Sequence, residues 1–187
     1  MRLFVALVPP ADALAELAAA VDVVQPAAPP ALRWTRREQW HLTLAFLGDV
    51  SAELVPGVHA ACAVAVHGRC AAPLRIVGAG RFTDRVLWAG LDGDRSLLID
   101  LAARLVAALR AAGVDVDDRP YRPHLTLARA VRGSSVDLRP TVSALSGFVG
   151  RRWQPDAVRL MHSRLGAGPG GHAVHVEVGR WPLSAAS

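Results

Sequence analysis

The sequence predicts an α+β protein in which two pseudo-symmetric antiparallel sheets, with helices on the outside, face a central cleft. Three observations carry this. The tetrapeptide His41-Leu42-Thr43-Leu44 recurs as His124-Leu125-Thr126-Leu127, 83 residues later. Each copy opens the same series of strand, helix and two further strands, a duplication too long and too few in copies for a solenoid. The segments around the polar corner Thr83-Asp84-Arg85 pair as a hairpin, which argues against an all-parallel sheet.

Residues 2 to 8 form an apolar strand that ends at Pro9-Pro10. An Ala- and Leu-rich helix follows from about Ala11 to Val23, with Pro10 at its first turn. The Pro- and Ala-rich segment Gln25 to Leu32 is a connecting loop leading to Trp34 and the first motif strand, His41 to Leu47, which Gly48-Asp49 ends. A second helix spans about Ser51 to Val66: Ser51 can cap it, Glu53 suits its positive end, and Pro56 marks either the first turn or a slightly later start.

Strands at Leu74 to Arg81 and Val86 to Leu91 make the hairpin. From Arg95 to Ala112 the apolar positions Leu97, Leu98, Leu101, Leu105, Ala108 and Leu109 step by three and four, a helix that Gly113 stops. Asp115 to Pro123 is a charged, Pro-bounded approach to the second motif strand, His124 to Arg129. A helix near Val136 to Leu145 and strands at Phe148 to Trp153, Ala157 to Ser163 and His172 to Trp181 complete a single bilobal domain over residues 1 to 187.

Composition narrows the function. Of 187 residues, 52% are hydrophobic, enough for a substantial core without staples. All 21 basic residues are Arg and the net charge is +5, which favours a phosphate-bearing partner because guanidinium forks match phosphate oxygens in pairs. No basic run is long enough for a nucleic-acid-coating tail. Cys62 and Cys70 fit neither a Cys-x-x-Cys redox pair nor a zinc quartet, and are expected to be reduced thiols of a cytoplasmic protein. The opening apolar stretch is too short for a signal peptide, and no segment is long enough to span a membrane.

Within each motif, two-residue alternation places His and Thr on one face and the two Leu on the other. Two such strands side by side around an approximate two-fold axis aim two imidazoles and two hydroxyls into one cleft. The other five histidines, His59, His67, His162, His172 and His175, lack ligand-like spacing with Cys or acidic partners, so no metal site is expected. Gly166, Gly168 and Gly171 match a dinucleotide-binding pattern by letter, but a strand follows where a helix should and Pro169 interrupts, so the segment reads as a hairpin loop. There is no Gly-x-Ser-x-Gly elbow and no Walker loop.

Two His-x-Thr-x motifs at this separation resemble the two-histidine (2H) phosphoesterase family. The flanking runs Arg2 to Leu7, Trp40 to Gly48, Trp88-Ala89-Gly90, Arg122 to Arg129 and Ser163-Arg164-Leu165 are similar to the bacterial and archaeal RNA 2′,3′-cyclic phosphodiesterases, a branch once described as 2′-5′ RNA ligase. The resemblance implies an enzyme, expected to be monomeric, that opens RNA 3′ ends bearing a 2′,3′-cyclic phosphate to a 2′-phosphomonoester, without metal or organic cofactor, and with possible reversible 2′-5′ ligation. It implies His41 as the proton donor to the 3′ oxygen and His124 as the base that activates water, although the near-symmetric motifs leave the reverse open. Thr43 and Thr126 would donate hydroxyls to phosphate oxygens.

The same resemblance carries Arg129 over as the phosphate clamp. Strict alternation puts Arg129 on the leucine side, so reaching the cleft requires a bulge, the strand's end or its own long stem. Trp40, Tyr121, Trp34 and Phe4 are candidate stacking rings for a terminal base. At one place the chain departs from the branch: aligning Arg180-Trp181-Pro182-Leu183 puts His175 where a Tyr is common. The alternatives are a phosphodiesterase for small cyclic nucleotides, ADP-ribose cyclic phosphate or 2′-5′ oligonucleotides, and a non-catalytic module that binds RNA ends.

Overall fold

The computed structural model describes residues 1–117, 120–168 and 171–185. Residues 118 and 119 of the Asp115 to Pro123 approach, and 169 and 170 of the Gly166 to Gly171 loop, lie outside the described residues. Eight strands form one sheet: β1 (Arg2–Leu7), β2 (Leu32–Trp34), β3 (Leu42–Asp49), β4 (Leu74–Phe82), β5 (Val86–Gly93), β6 (Leu125–Ala130), β7 (Ala157–Arg164) and β8 (Val174–Pro182). Four helices accompany them: α1 (Ala11–Val24), α2 (Val55–Val66), α3 (Arg95–Ala111) and α4 (Arg139–Leu145).

The strand order is β4-β5-β6-β3-β1-β7-β8, with β2 also paired to β6, and every strand pair is antiparallel. The two motif strands, β3 and β6, meet at the centre through one residue pair, Leu42 with Leu125. The two expected half-sheets are therefore joined at a narrow seam. Each motif strand also sends its hairpin across that seam: β4-β5, which follows β3, pairs with β6, whereas β7-β8, which follows β6, pairs with β1 beside β3.

Leu42 and Leu125 are fully buried, because the helices cover the sheet on the leucine side. Helices α1 and α4 pack with β4, and α2 and α3 pack with each other and with β3, β7 and β8. The three- and four-residue steps of α3 bury Leu97, Leu98, Leu101, Leu105 and Leu109 as expected. Its ends follow local chemistry. The Asp94 carboxylate accepts from the Ser96 backbone N–H at 3.1 Å, and Gly113 takes φ +81° so that its own N–H reaches the Arg110 carbonyl at 2.9 Å while Val114 N–H reaches Leu109 at 3.0 Å.

Three local expectations are corrected. Ser51 does not cap α2: a 3₁₀ turn over Ala52–Leu54 precedes the helix, which starts later, with Pro56 in its first turn where the missing N–H is harmless. Leu32–Trp34, expected within or after a loop, adds a short strand to β6. Phe148 to Trp153 is not a continuous strand, and only Val149 and Trp153 bridge β4, at Val77 and Leu74. Glycine at 147 and 150 and the weakly apolar intervening residues supply no second face for a ladder to bury.

Candidate active site

His41 and His124 stand immediately before the two residues that form the seam, so both rings emerge at the centre of the sheet's open face. His41, Thr43, His124, Thr126 and Arg129 all line one cleft of about 1190 Å³. The burial pattern along the two motifs is identical residue for residue, from His41 to Phe46 and from His124 to Arg129.

Each imidazole is oriented by a backbone carbonyl two residues upstream. His41 Nδ1–H donates to the Gln39 carbonyl at 2.6 Å, and His124 Nδ1–H donates to the Arg122 carbonyl at 2.6 Å. A carbonyl can only accept, so both rings carry hydrogen on Nδ1 and leave Nε2 for chemistry. His41 Nε2 lies 3.1 Å from the Thr43 hydroxyl, which donates to it when the ring is neutral. Gln39 is held in turn, because its side-chain amide donates to the Ala173 carbonyl at the entry to β8. Nothing in the residue types at 39 and 122 announces these carbonyl contacts, which is why the sequence does not reveal them.

Aromatic walls confine both rings. Phe4 stacks on His41 with centroids 4.6 Å apart, and His175 sits edge-on to both, 4.9 Å from Phe4 and 5.3 Å from His41. On the other side Phe82 meets His124 edge-on at 4.8 Å, backed by Trp88 at 6.3 Å. The Trp88 indole lies flat against Gly80, where a Cβ would come within 2.2 Å of the ring. His175, noted in the sequence only as a departure, is thus a third histidine of the cleft.

A bulge resolves the parity objection to Arg129. Leu87 pairs with Ala128 and Trp88 with Thr126, so Leu127 is the extra residue, and Arg129 turns to the cleft face. In β3 the same step skips Leu44 between Ala45 and Thr43. The candidate rings divide: Trp34 and Phe4 line the cleft, whereas Trp40 is 2% exposed within the core and Tyr121 packs against that core. The β3 bulge brings Phe46 to the rim, a ring the alternating pattern assigns to the wrong face.

The cleft is positive. Arg2, Arg33, Arg129 and Arg132 line it, and no Asp or Glu does among the described residues. Among those residues no cluster of three or more His, Cys, Asp or Glu side chains is placed to hold a metal ion. Cys62 and Cys70 are both unpaired; burial pushes the Cys62 thiol up to about 12. No described helix is long and apolar enough to cross a membrane.

Burial is the main cause that pushes His41 down to about 4, opposed by its bond to Gln39 and reinforced by His175, His124 and Arg129. His124 is lowered too, by burial and then by Arg129, with its carbonyl bond opposing. In the free protein the first proton therefore goes to His124, and both rings are neutral well above pH 6.5.

The family model described as the 2′-5′ RNA ligase superfamily matches residues 9–167. The chain belongs to that superfamily. Among curated relatives it is 34% identical over 113 residues to an RNA 2′,3′-cyclic phosphodiesterase of Geobacillus stearothermophilus, an alignment spanning 57% of this chain and 35% of the relative. It is 36% identical over 105 residues to the RNA 2′,3′-cyclic phosphodiesterase of Escherichia coli K12, spanning 54% of this chain and 57% of the relative. The matches thus span between about a third and somewhat over half of these two relatives' length. Superfamily structures match end to end: E. coli LigT complexed with 3′-AMP at TM-score 0.77 and 28% identity over 97% of both chains, and TT0787 of Thermus thermophilus at 0.78 and 26% over 99% of both. The α+β, antiparallel architecture expected from the repeated motif is thus that of the superfamily.

Proposed function

We propose that this chain is an RNA 2′,3′-cyclic phosphodiesterase that converts a terminal 2′,3′-cyclic phosphate to a 2′-phosphomonoester. The carrying observation is the pair of imidazoles, each fixed with hydrogen on Nδ1 and Nε2 available, in one cleft lined by arginine. Opening the ring requires a base for the attacking water and an acid for the departing ribose oxygen, on opposite sides of phosphorus. Two facing imidazoles meet both needs.

In this reading His124 Nε2 takes a proton from water as its oxygen bonds to phosphorus. The bond from phosphorus to the 3′ oxygen breaks, and His41 Nε2 delivers a proton to that oxygen. The phosphate stays on the 2′ oxygen, and one proton has passed in at His124 and out at His41, so the next cycle requires only exchange with solvent. Thr43 and Thr126 donate hydroxyls to the non-bridging oxygens, and Arg129 holds the anion by a two-pronged contact. A ribose 5′-hydroxyl in place of water would yield a 2′-5′ linkage. The mechanism assigns no metal or organic cofactor, and residues 1 to 187 act as one bilobal, cytoplasmic, monomeric unit.

The anionic substrate raises both imidazole pKa values by favouring the charged forms, and supplies His41 with the proton that the free protein gives first to His124. A pH dependence follows. kcat/KM reports the free enzyme, where the singly protonated pair is most populated below pH 6.5 and declines about tenfold per unit once both rings are neutral. The kcat/KM profile is thus expected to fall from pH 7 to 9, with the kcat profile displaced to higher pH. A kcat/KM flat over that range would contradict the assignment.

The function itself is tested with a short RNA ending in 2′,3′-cyclic phosphate, incubated with chelator present, and with the position of the product phosphate mapped. A 2′-phosphate is the expected product. Binding without turnover would identify an RNA-end-binding module instead, turnover confined to mononucleotides would point to a small-molecule phosphodiesterase, and loss with chelator would require a metal.

A further inference from the structure

The two motif strands are equivalent through their whole length, and the equivalence extends past the histidines and threonines. One extra residue in each strand, Leu44 in β3 and Leu127 in β6, turns the residue three beyond the threonine to the cleft. On β6 that residue is Arg129, and on β3 it is Phe46. Phe46 is 44% exposed and lines the cleft, while its neighbours Leu44, Ala45 and Leu47 are buried. The Arg2 guanidinium lies 4.9 Å from its ring centre, and Arg2 is itself 3.9 Å from the Asp49 carboxylate, so one side of the ring is braced by a positive charge.

In-line displacement tells the two sides of the cleft apart. The leaving 3′ oxygen belongs to the nucleoside, so the nucleoside must lie on the side of the group that protonates it. With His41 as donor, that side is β3, the strand that carries Phe46. We propose that Phe46 is the stacking platform for the nucleobase of the nucleotide bearing the cyclic phosphate. The inference rests on the donor role of His41 given above. The other rings are poorly placed to stack a base there. Phe4 is 3% exposed and already stacked on His41, Trp40 is in the core, and Trp34 lies on β2 against β6, on the water side. A ring accepts any base, which suits an enzyme that meets RNA ends of varied sequence.

The test uses two RNAs of identical body, both ending in a ribose 2′,3′-cyclic phosphate, one with its terminal base and one abasic. Phe46→Leu, at an exposed position, is expected to raise KM for the base-bearing RNA about tenfold with kcat nearly unchanged, and to leave the abasic substrate unaffected. Phe46→Trp should restore tight binding. An equal effect on both RNAs, or none on either, overturns the platform. Wild-type turnover stands whatever the variants do, so failure of the platform is distinct from failure of the hydrolase reading. If the wild type did not turn over, the same comparison read as Kd would still decide whether Phe46 contacts the base.

Discussion

His41→Ala and His124→Ala are each expected to lower kcat on an RNA 2′,3′-cyclic phosphate by about 10²- to 10⁴-fold, because each removes one proton-transfer group from the transition state. Both rings are only half-buried and lie on the cleft face, so their loss leaves the leucine side of the sheet packed and the fold intact. Circular dichroism and thermal unfolding would check this. The double variant should lose less than the product of the single losses, since acid and base act as a unit. The two roles can be separated chemically. A substrate with sulfur in place of the 3′ oxygen releases a thiolate, whose conjugate acid is far stronger than an alcohol and needs no donated proton. On that substrate His41→Ala should recover most of its loss and His124→Ala should recover little. Recovery by His124→Ala instead would exchange the assignments and move the nucleoside, and with it the base, to the β6 side.

The contrast between Leu42 and Arg129 shows how far the sequence could be read. Alternation suffices for Leu42, Thr43 and His41, since each faces the side its parity assigns, and the duplicated motif pairs them with Leu125, Thr126 and His124 at the seam. Beyond the threonines the same rule fails. Leu44-Ala45 and Leu127-Ala128 are consecutive buried residues, and an apolar pair does not announce which strand takes the extra residue. The resemblance recovered Arg129 despite its parity, but no comparable cue existed for Phe46. The crossing of the hairpins is likewise silent in periodicity: the β4-β5 turn is legible from Thr83 to Arg85, but its choice of β6 over β3 is set by tertiary packing. Trp40 and Tyr121 were candidates because they flank the histidines in the chain, and chain proximity is a poor guide when neighbouring side chains alternate between cleft and core.

Arg129→Met is expected to reduce kcat/KM by about 10²-fold, the scale lost when one preorganised donor to a developing oxyanion is removed. The residue is exposed at the end of β6, so the substitution should change stability by no more than about 0.5 kcal/mol, and the melting temperature serves as the control. Lysine keeps the charge but not the two-pronged geometry, so Arg129→Lys should recover only part of the loss. A second readout separates a phosphate clamp from a residue that merely supports the strand. Arg129 lowers both His41 and His124 through its charge. Removing it makes each imidazolium easier to form, so both pKa values rise and the window of the singly protonated pair moves to higher pH. The kcat/KM profile of Arg129→Met should therefore shift alkaline as its height falls, whereas Arg129→Lys should keep the wild-type position. A loss of activity with the profile unmoved in Arg129→Met would place the guanidinium too far from the imidazoles to touch the same phosphate.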